Sequence, residues 1–263
     1  MGDIDIVKLA LLFGAGLIAG FINVVAGGGS LITLPALIFY GLPPTVANGT
    51  NRIAILLQNV TSIHRFRQKG YWDPALGLKL AVPATAGAIV GSRIAVDIPE
   101  QLFRIILSVV MVLVLVLMLF RPKRKAEETE ERPLTPGRQA ALVAAFFGVG
   151  LYGGFIQAGV GFIIMTALSL LTGATLVRIN SLKVFLVAFY TVWALIVFVV
   201  NGKVAVAAGL VLAAGNSIGA WLSTTLSVSK GDRLIRVLFV VAVVAMTIKV
   251  SGLWAVIRKT VGW

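Results

Sequence analysis

Residues 26 to 109 recur at 158 to 241 with a constant offset of 132 positions and no gap. Ala26-Gly27 meets Ala158-Gly159, Gly29 meets Gly161, Gly41 meets Gly173 and Asn48 meets Asn180. Further along, Gly70 meets Gly202, Gly87-Ala88 meets Gly219-Ala220, and Leu102 and Arg104 meet Leu234 and Arg236. The order of apolar segments matches as well, so two copies of one design are fused. In an apolar chain this pattern points to a transporter with its site where the halves meet.

The chain is 59% apolar and 13% charged, about half the charge of an ordinary soluble domain. Runs such as 105–120 and 184–200 carry no acid or base and approach the ~20 residues that cross a bilayer. Five apolar runs fall in each half. They are 6–25, 31–40, 44–63, 75–95 and 102–120, then 138–158, 162–171, 176–200, 204–226 and 234–250. The expected fold is all-α: a polytopic membrane protein of about ten hydrophobic helices. An N-terminal repeat (1–120) and a C-terminal repeat (138–263) flank a solvated linker, 121–137, rich in Lys, Arg, Glu and Pro. Asp3 and Asp5 stand where a signal peptide needs a basic stretch, so the first run is expected to be retained.

The second and seventh runs are too short to cross the ~30 Å hydrocarbon core upright. Each follows a glycine-rich break, and each is either a tilted crossing or a re-entrant piece. If all ten runs cross, 14 of the 23 basic residues fall on one side, including Arg65, Arg67, Lys69 and the linker. That side is then cytoplasmic and both termini lie outside the plasma membrane. Five crossings per half would invert the second half relative to the first, and this is the favoured arrangement. Re-entrant short runs would instead make the halves parallel.

The net charge of +13 is carried mostly in loops between apolar runs and calls for no nucleic-acid partner. There is no cysteine and a single histidine, His64, which leaves no thiolate chemistry, no evident metal site and little for an enzyme. His64 reads as an interfacial loop residue rather than a proton relay. Tyr71, Trp72, Trp254 and Trp263 suit an aromatic belt. No cofactor is implied. The expected partners are a small anionic substrate and the lipid bilayer, with a homo-oligomer one of the assemblies open to it.

Charges inside apolar runs are functional candidates, because burying them is costly. Arg52 and Lys183 stand out, at near-equivalent repeat positions, since Lys183 aligns with Asn51. Asn48 precedes Arg52 by four residues and Asn180 precedes Lys183 by three, which places amide and cation on one helix face. No carboxylate lies deep in a run to neutralise either cation, so a transported anion could do so. The alternative is that both snorkel to an interface or bond backbone carbonyls.

The breaks at Gly27-Gly28-Gly29-Ser30 and Gly159-Val160-Gly161 each precede a short helix, so free backbone N–H groups and a positive helix end would face a bound oxyanion. Ser30, Thr33 and Thr50 add hydroxyls, with Asn23 and Gln157 just upstream of the breaks. No Gly-Lys-Ser/Thr follows the glycines, which excludes a nucleotide phosphate loop. The other reading of the glycines is close helix packing, and it is preferred for Gly87, Gly91, Gly209 and Gly215.

The stretch from Gly20 through Pro35, with Ala26-Gly27-Gly28-Gly29-Ser30, then Gly41-Leu42-Pro43-Pro44 and Ala47-Asn48-Gly49-Thr50-Asn51, resembles the sulfite exporter TauE/SafE family. Arg67-Gln68-Lys69-Gly70 before Trp72-Asp73, and Gly87-Ala88-Ile89-Val90-Gly91, extend the resemblance, with a weaker second copy around Gly159 and Asn180. It implies a multi-pass permease exporting sulfite, sulfonates or related small anions. The second copy reads Asn180-Ser181-Leu182-Lys183 where the first has Asn48-Gly49-Thr50-Asn51, so the half-sites differ chemically. An importer or exchanger of organic acids or sulfonates is the alternative, and a non-transporting receptor or assembly factor a remote one.

Overall fold

The computed structural model describes residues 6–71, 73–119 and 135–226, and every regular element among them is an α-helix. Nine follow in order: α1 (Ile6–Ala26), α2 (Ser30–Tyr40), α3 (Pro44–Gln68), α4 (Pro74–Asp97), α5 (Glu100–Leu119), α6 (Pro136–Phe155), α7 (Val160–Thr172), α8 (Leu176–Val200) and α9 (Val206–Leu226). In hydrocarbon the backbone must satisfy its own hydrogen bonds, which helices do within one segment. Four described stretches are long and apolar enough to cross a membrane: Ile6–Val24, Pro74–Asp97, Leu176–Val200 and Val206–Thr225. The tenth run, most of the linker, Trp72, Trp254 and Trp263 lie outside the described residues.

Local chemistry sets the helix ends. Pro44, Pro74 and Pro136 open α3, α4 and α6, where a missing N–H costs nothing. The Asp73 carboxylate accepts the Leu76 N–H at 3.2 Å, capping α4. Glu100 does the same for α3, accepting the Thr45 N–H at 2.9 Å. Gly41 and Gly173 close α2 and α7 in left-handed conformation.

The duplication is visible in the backbone. The helices α3 and α8 have boundaries at the repeat offset. The positive-φ glycines also come in offset pairs: Gly27 with Gly159, Gly41 with Gly173, and Gly70 with Gly202. Two boundaries differ from the sequence reading. Helix α3 continues past residue 63 to Gln68, so His64, Arg65 and Arg67 lie in its last turns rather than in a loop. Helix α6 stops at Phe155 instead of 158, leaving Gln157 in the break.

Packing crosses between the halves. Helix α4 lies against α6, with Gly87 on the Phe147 backbone, Gly91 on Leu151, Gly150 on Ala84 and Gly154 on Ala88. Helix α1 lies against α9 in the same manner, with Gly16 on Leu212, Gly20 on Asn216, Gly215 on Phe13 and Gly219 on Leu17. Both pairs run parallel. A Cβ at any of these glycines would collide with the facing backbone, so small residues set the helix separation. By contrast α3 and α8 cross antiparallel. Gly49 touches Phe198, while Ile55 and Asn59 share a cavity with Lys183 and Val187.

Helix α3 is too polar for lipid. Asn48, Asn51, Arg52, Gln58, Asn59 and Ser62 are all at most 2% exposed, and Asn48, Asn51 and Arg52 find their partners outside α3.

Candidate functional site between two glycine breaks

The two breaks meet. An added Cβ on Gly27 would sit 2.5 Å from the Gly161 carbonyl carbon, and one on Gly161 would sit 2.6 Å from Gly27 Cα. Gly27 and Gly159 have φ of 76° and 68°, which side-chain-bearing residues rarely adopt. Four helix ends therefore converge: the C-termini of α1 and α6 and the N-termini of α2 and α7.

Each C-terminus is held by a cation from the other half. Arg52 is fully buried and donates to the Gly153 and Gly154 carbonyls at 3.1 and 2.5 Å. Asn48 takes the next carbonyl, Phe155, at 2.8 Å. The three last carbonyls of α6 are thus closed from α3, and the cation sits at the negative end of the helix dipole. The Arg52 guanidinium also lies 4.6 Å from the Phe198 ring centroid. In the related place, Lys183 donates to the Asn23 and Val24 carbonyls at 3.1 and 3.0 Å, closing α1. Its third strong bond, 2.8 Å, goes to Asn180 Oδ1. The sequence reading left both cations in want of an anion; backbone carbonyls, a partner it named as the alternative, hold both here.

Around them lies a second layer. Asn51 accepts from Thr33 Oγ1 at 2.6 Å and donates to Ser30 Oγ at 3.3 Å, tying α3 to the start of α2. Gly29 N–H donates to Asn23 Oδ1 at 3.3 Å. Gln157 accepts from Arg52 at 3.2 Å and donates to the Tyr190 hydroxyl at 3.1 Å.

A cavity opens where the halves touch. It is lined by Asn23 and Ser30 at the first break, Gln157, Val160 and Gly161 at the second, Asn59 and Ile55 on α3, and Lys183 and Val187 on α8. About 10 Å³ is open to the centre of a water-sized molecule, room for roughly one water. None of its lining residues is a carboxylate. The polar groups are an ammonium, a hydroxyl and three carboxamides, a set that suits an oxyanion better than a cation.

The residues singled out from sequence divide. Ser30, Gln157, Gly161 and Lys183 line the cavity. Gly27, Gly28, Gly29 and Gly159 form the buried breaks beside it. Asn48, Asn51, Arg52 and Asn180 stand behind it, holding helix ends or Lys183. Thr50 points elsewhere and accepts the Ala205 N–H at 2.8 Å before α9. Asn59 was missed; a neutral amide inside a long helix carries no charge signal, although its place on the face of Arg52 and Ile55 was readable. Among the described residues no cluster of His, Cys, Asp or Glu could hold a metal.

Four described stretches apolar and long enough to cross a membrane, packed around buried cations that hold helix ends, mark the class as a helical membrane protein. The sequence model of the family described as sulfite exporter TauE/SafE matches residues 12–250, and the chain belongs to that family of membrane transporters. It is 31% identical over 245 residues to the probable membrane transporter protein YfcA of Escherichia coli, covering 92% of this chain and 88% of that one. A probable membrane transporter protein of Haemophilus influenzae is 30% identical over 251 residues, with 94% and 96% covered. The probable membrane transporter protein ORF9 of a Sinorhizobium species is 28% identical over 249 residues, with 95% and 94% covered. No solved structure is significantly similar to the chain.

Proposed function

We propose that this transporter exports a small oxyanion, with sulfite or a related sulfur-containing anion the first candidate, through the cavity between the two glycine breaks. The observation that carries the reading is the lining: Lys183 with Ser30, Asn23, Asn59 and Gln157, and no carboxylate. Such donors stabilise an oxyanion, and no acidic group is at hand to couple sodium or protons. A negative cytoplasm expels an anion with ~2.3 kcal/mol per charge per 100 mV, so a bound co-ion is unnecessary.

Lys183 already spends its donors on Asn23, Val24 and Asn180. An anion entering the cavity competes with these oxygens for the ammonium. Binding therefore loosens the hold on the end of α1, and widening the cavity requires the halves to shift. That links occupancy to movement and supports alternating access by rocking of one half against the other.

The antiparallel crossing of α3 and α8 supports the inverted arrangement of the halves, with the short helices crossing at a tilt. In that arrangement the basic end of α3, with Arg65, Arg67 and Lys69, faces the cytoplasm. The linker shares that side, the termini lie outside, and the protein resides in the plasma membrane.

Sulfite efflux from proteoliposomes under an imposed potential tests this reading. Flux is expected in the native protein, at least tenfold lower in Lys183→Ala and in Asn59→Leu. Asn59 is the cleaner probe, because its amide donates only to Ile55 of its own helix. A folded native protein without sulfite flux would reject sulfite, and native flux unaffected by either substitution would reject the site.

A further inference from the structure

Gln58 and Asn216 are 1% and 0% exposed, and neither the nitrogen nor the oxygen of either amide has a hydrogen-bond partner. A fully buried carboxamide almost always finds partners, so two such groups require an explanation.

They lie level with each other. Helices α3 and α9 run parallel, fixed at one end by the Thr50–Ala205 bond and at the other by Arg65, which donates to Thr225 Oγ1 at 2.7 Å. Lys69 reaches the Thr224 carbonyl beside it. Gln58 is midway between Thr50 and Arg65, and Asn216 midway between Ala205 and Thr225. Helical spacing also puts each on the seam: Gln58 on the face of Thr50 and Ala54, Asn216 on the face of Leu212 and Ala220. Asn59, next to Gln58, already lines the cavity. Between the amides and the basic rim, Val24, Phe66, Val184 and Ala220 close the interior with an apolar layer.

The duplicated scaffold does not demand these amides. At the repeat offset Gln58 corresponds to Tyr190, which is bonded to Gln157, and Asn216 corresponds to Ala84. The polar pair, one amide from each half, is present on the α3–α9 seam and not on its repeat counterpart, α8–α4, and α3 ends there in Arg65 and Lys69.

We propose that the α3–α9 seam is the route between the cavity and the basic rim, with Gln58 and Asn216 forming a second, transient station that donates amide N–H groups to the passing oxyanion. The apolar layer around Phe66 is the barrier on that route. This rests on the transport reading given above, and names its path.

The absence of native cysteine makes the test direct. Gln58→Cys, Asn216→Cys and a control, Leu186→Cys, are placed in the full-length protein in proteoliposomes. Leu186 is equally buried, on α8. An anionic methanethiosulfonate reagent is added from the Arg65 side. Labelling of positions 58 and 216 at least tenfold faster than the control, and faster than with a cationic reagent, is expected. Unreactive thiols at both positions in folded protein would overturn the route, whether or not sulfite is carried. Where the native protein carries sulfite, Gln58→Leu and Asn216→Leu should cut flux at least tenfold without lowering the unfolding temperature. Unchanged flux would equally overturn the station. Native protein lacking sulfite flux counts against the sulfite reading, and labelling still decides the route.

Discussion

At the scale of single residues, Arg52 and Lys183 look alike in sequence and differ in what they risk. Arg52 closes three acceptors, the Gly153 and Gly154 carbonyls and Gln157, from a fully buried position. Hydrogen bonds to charged groups contribute about 1.5–3 kcal/mol each, so Arg52→Ala should lower stability by about 3 kcal/mol or more. Thermal unfolding in detergent reads this out, and Arg52→Lys should recover only part, since an ammonium cannot reproduce the fork. A drop below about 1 kcal/mol would mean the α6 terminus is satisfied in another way. That Arg52 matters was legible as a charge in an apolar run. Its partners were not, because backbone carbonyls leave no mark in a sequence.

Asp73 gives a pH-dependent counterpart at the surface. Arg178 donates to its carboxylate at 2.7 Å and, with the Leu76 N–H, holds its pKa below the ordinary 3.8. The folded form therefore binds its proton less readily than the unfolded one. The contribution is complete above pH 3.8 and is lost as pH falls through the lower, folded value. The pair is partly exposed, with 39% and 25% of the side chains accessible, so it contributes less than about 1 kcal/mol. Asp73→Asn should lower the unfolding temperature slightly near neutral pH, with the gap to native protein closing in acid.

At the scale of elements, glycine positions separate into two kinds that composition cannot distinguish. Gly14 has open space where a Cβ would go, whereas Gly150 would drive one into the Ala84 carbonyl. Gly14→Ala should be neutral or stabilising by up to about 1 kcal/mol. Gly150→Ala should destabilise by about 1–3 kcal/mol, because α4 and α6 must separate. Equal effects in a thermal unfolding assay would show that this interface yields more easily than its spacing implies. Helix boundaries were legible wherever proline or left-handed glycine marks them, as at Pro44, Gly41 and Gly173. The end of α6 at Phe155 carries no such mark, and the apolar Ile156 ran the sequence reading on to 158. The long reach of α3 was missed for a related reason: its last turns are basic and polar, and a solvated helix end resembles a loop.

At the scale of the whole molecule, the duplication was the most legible property and its spatial meaning the least. An offset of 132 says that two halves are alike, not which way each faces. The antiparallel crossing of α3 and α8 makes a definite forecast for the inverted arrangement. Tyr71 and Asn201 follow the ends of α3 and α8, and both are exposed. Tyr71→Cys and Asn201→Cys, each in the cysteine-free chain, should then react with an impermeant thiol reagent from opposite sides of the membrane. Reaction from the same side would mean parallel halves, and would turn α2 and α7 into re-entrant pieces.

The crossed packing of α1 on α9 and of α4 on α6 has a consequence for how the chain is made. Gly20 meets Asn216, a partner synthesised nearly two hundred residues later. At about 5–20 residues per second, α1 waits on the order of ten seconds or more in the bilayer with its contact face uncovered. Neither half can complete its interior alone, so the halves must assemble as partners would. Two separate polypeptides, 1–120 and 138–263, made in the same cell should find each other and restore the fold, whereas either one by itself should be degraded.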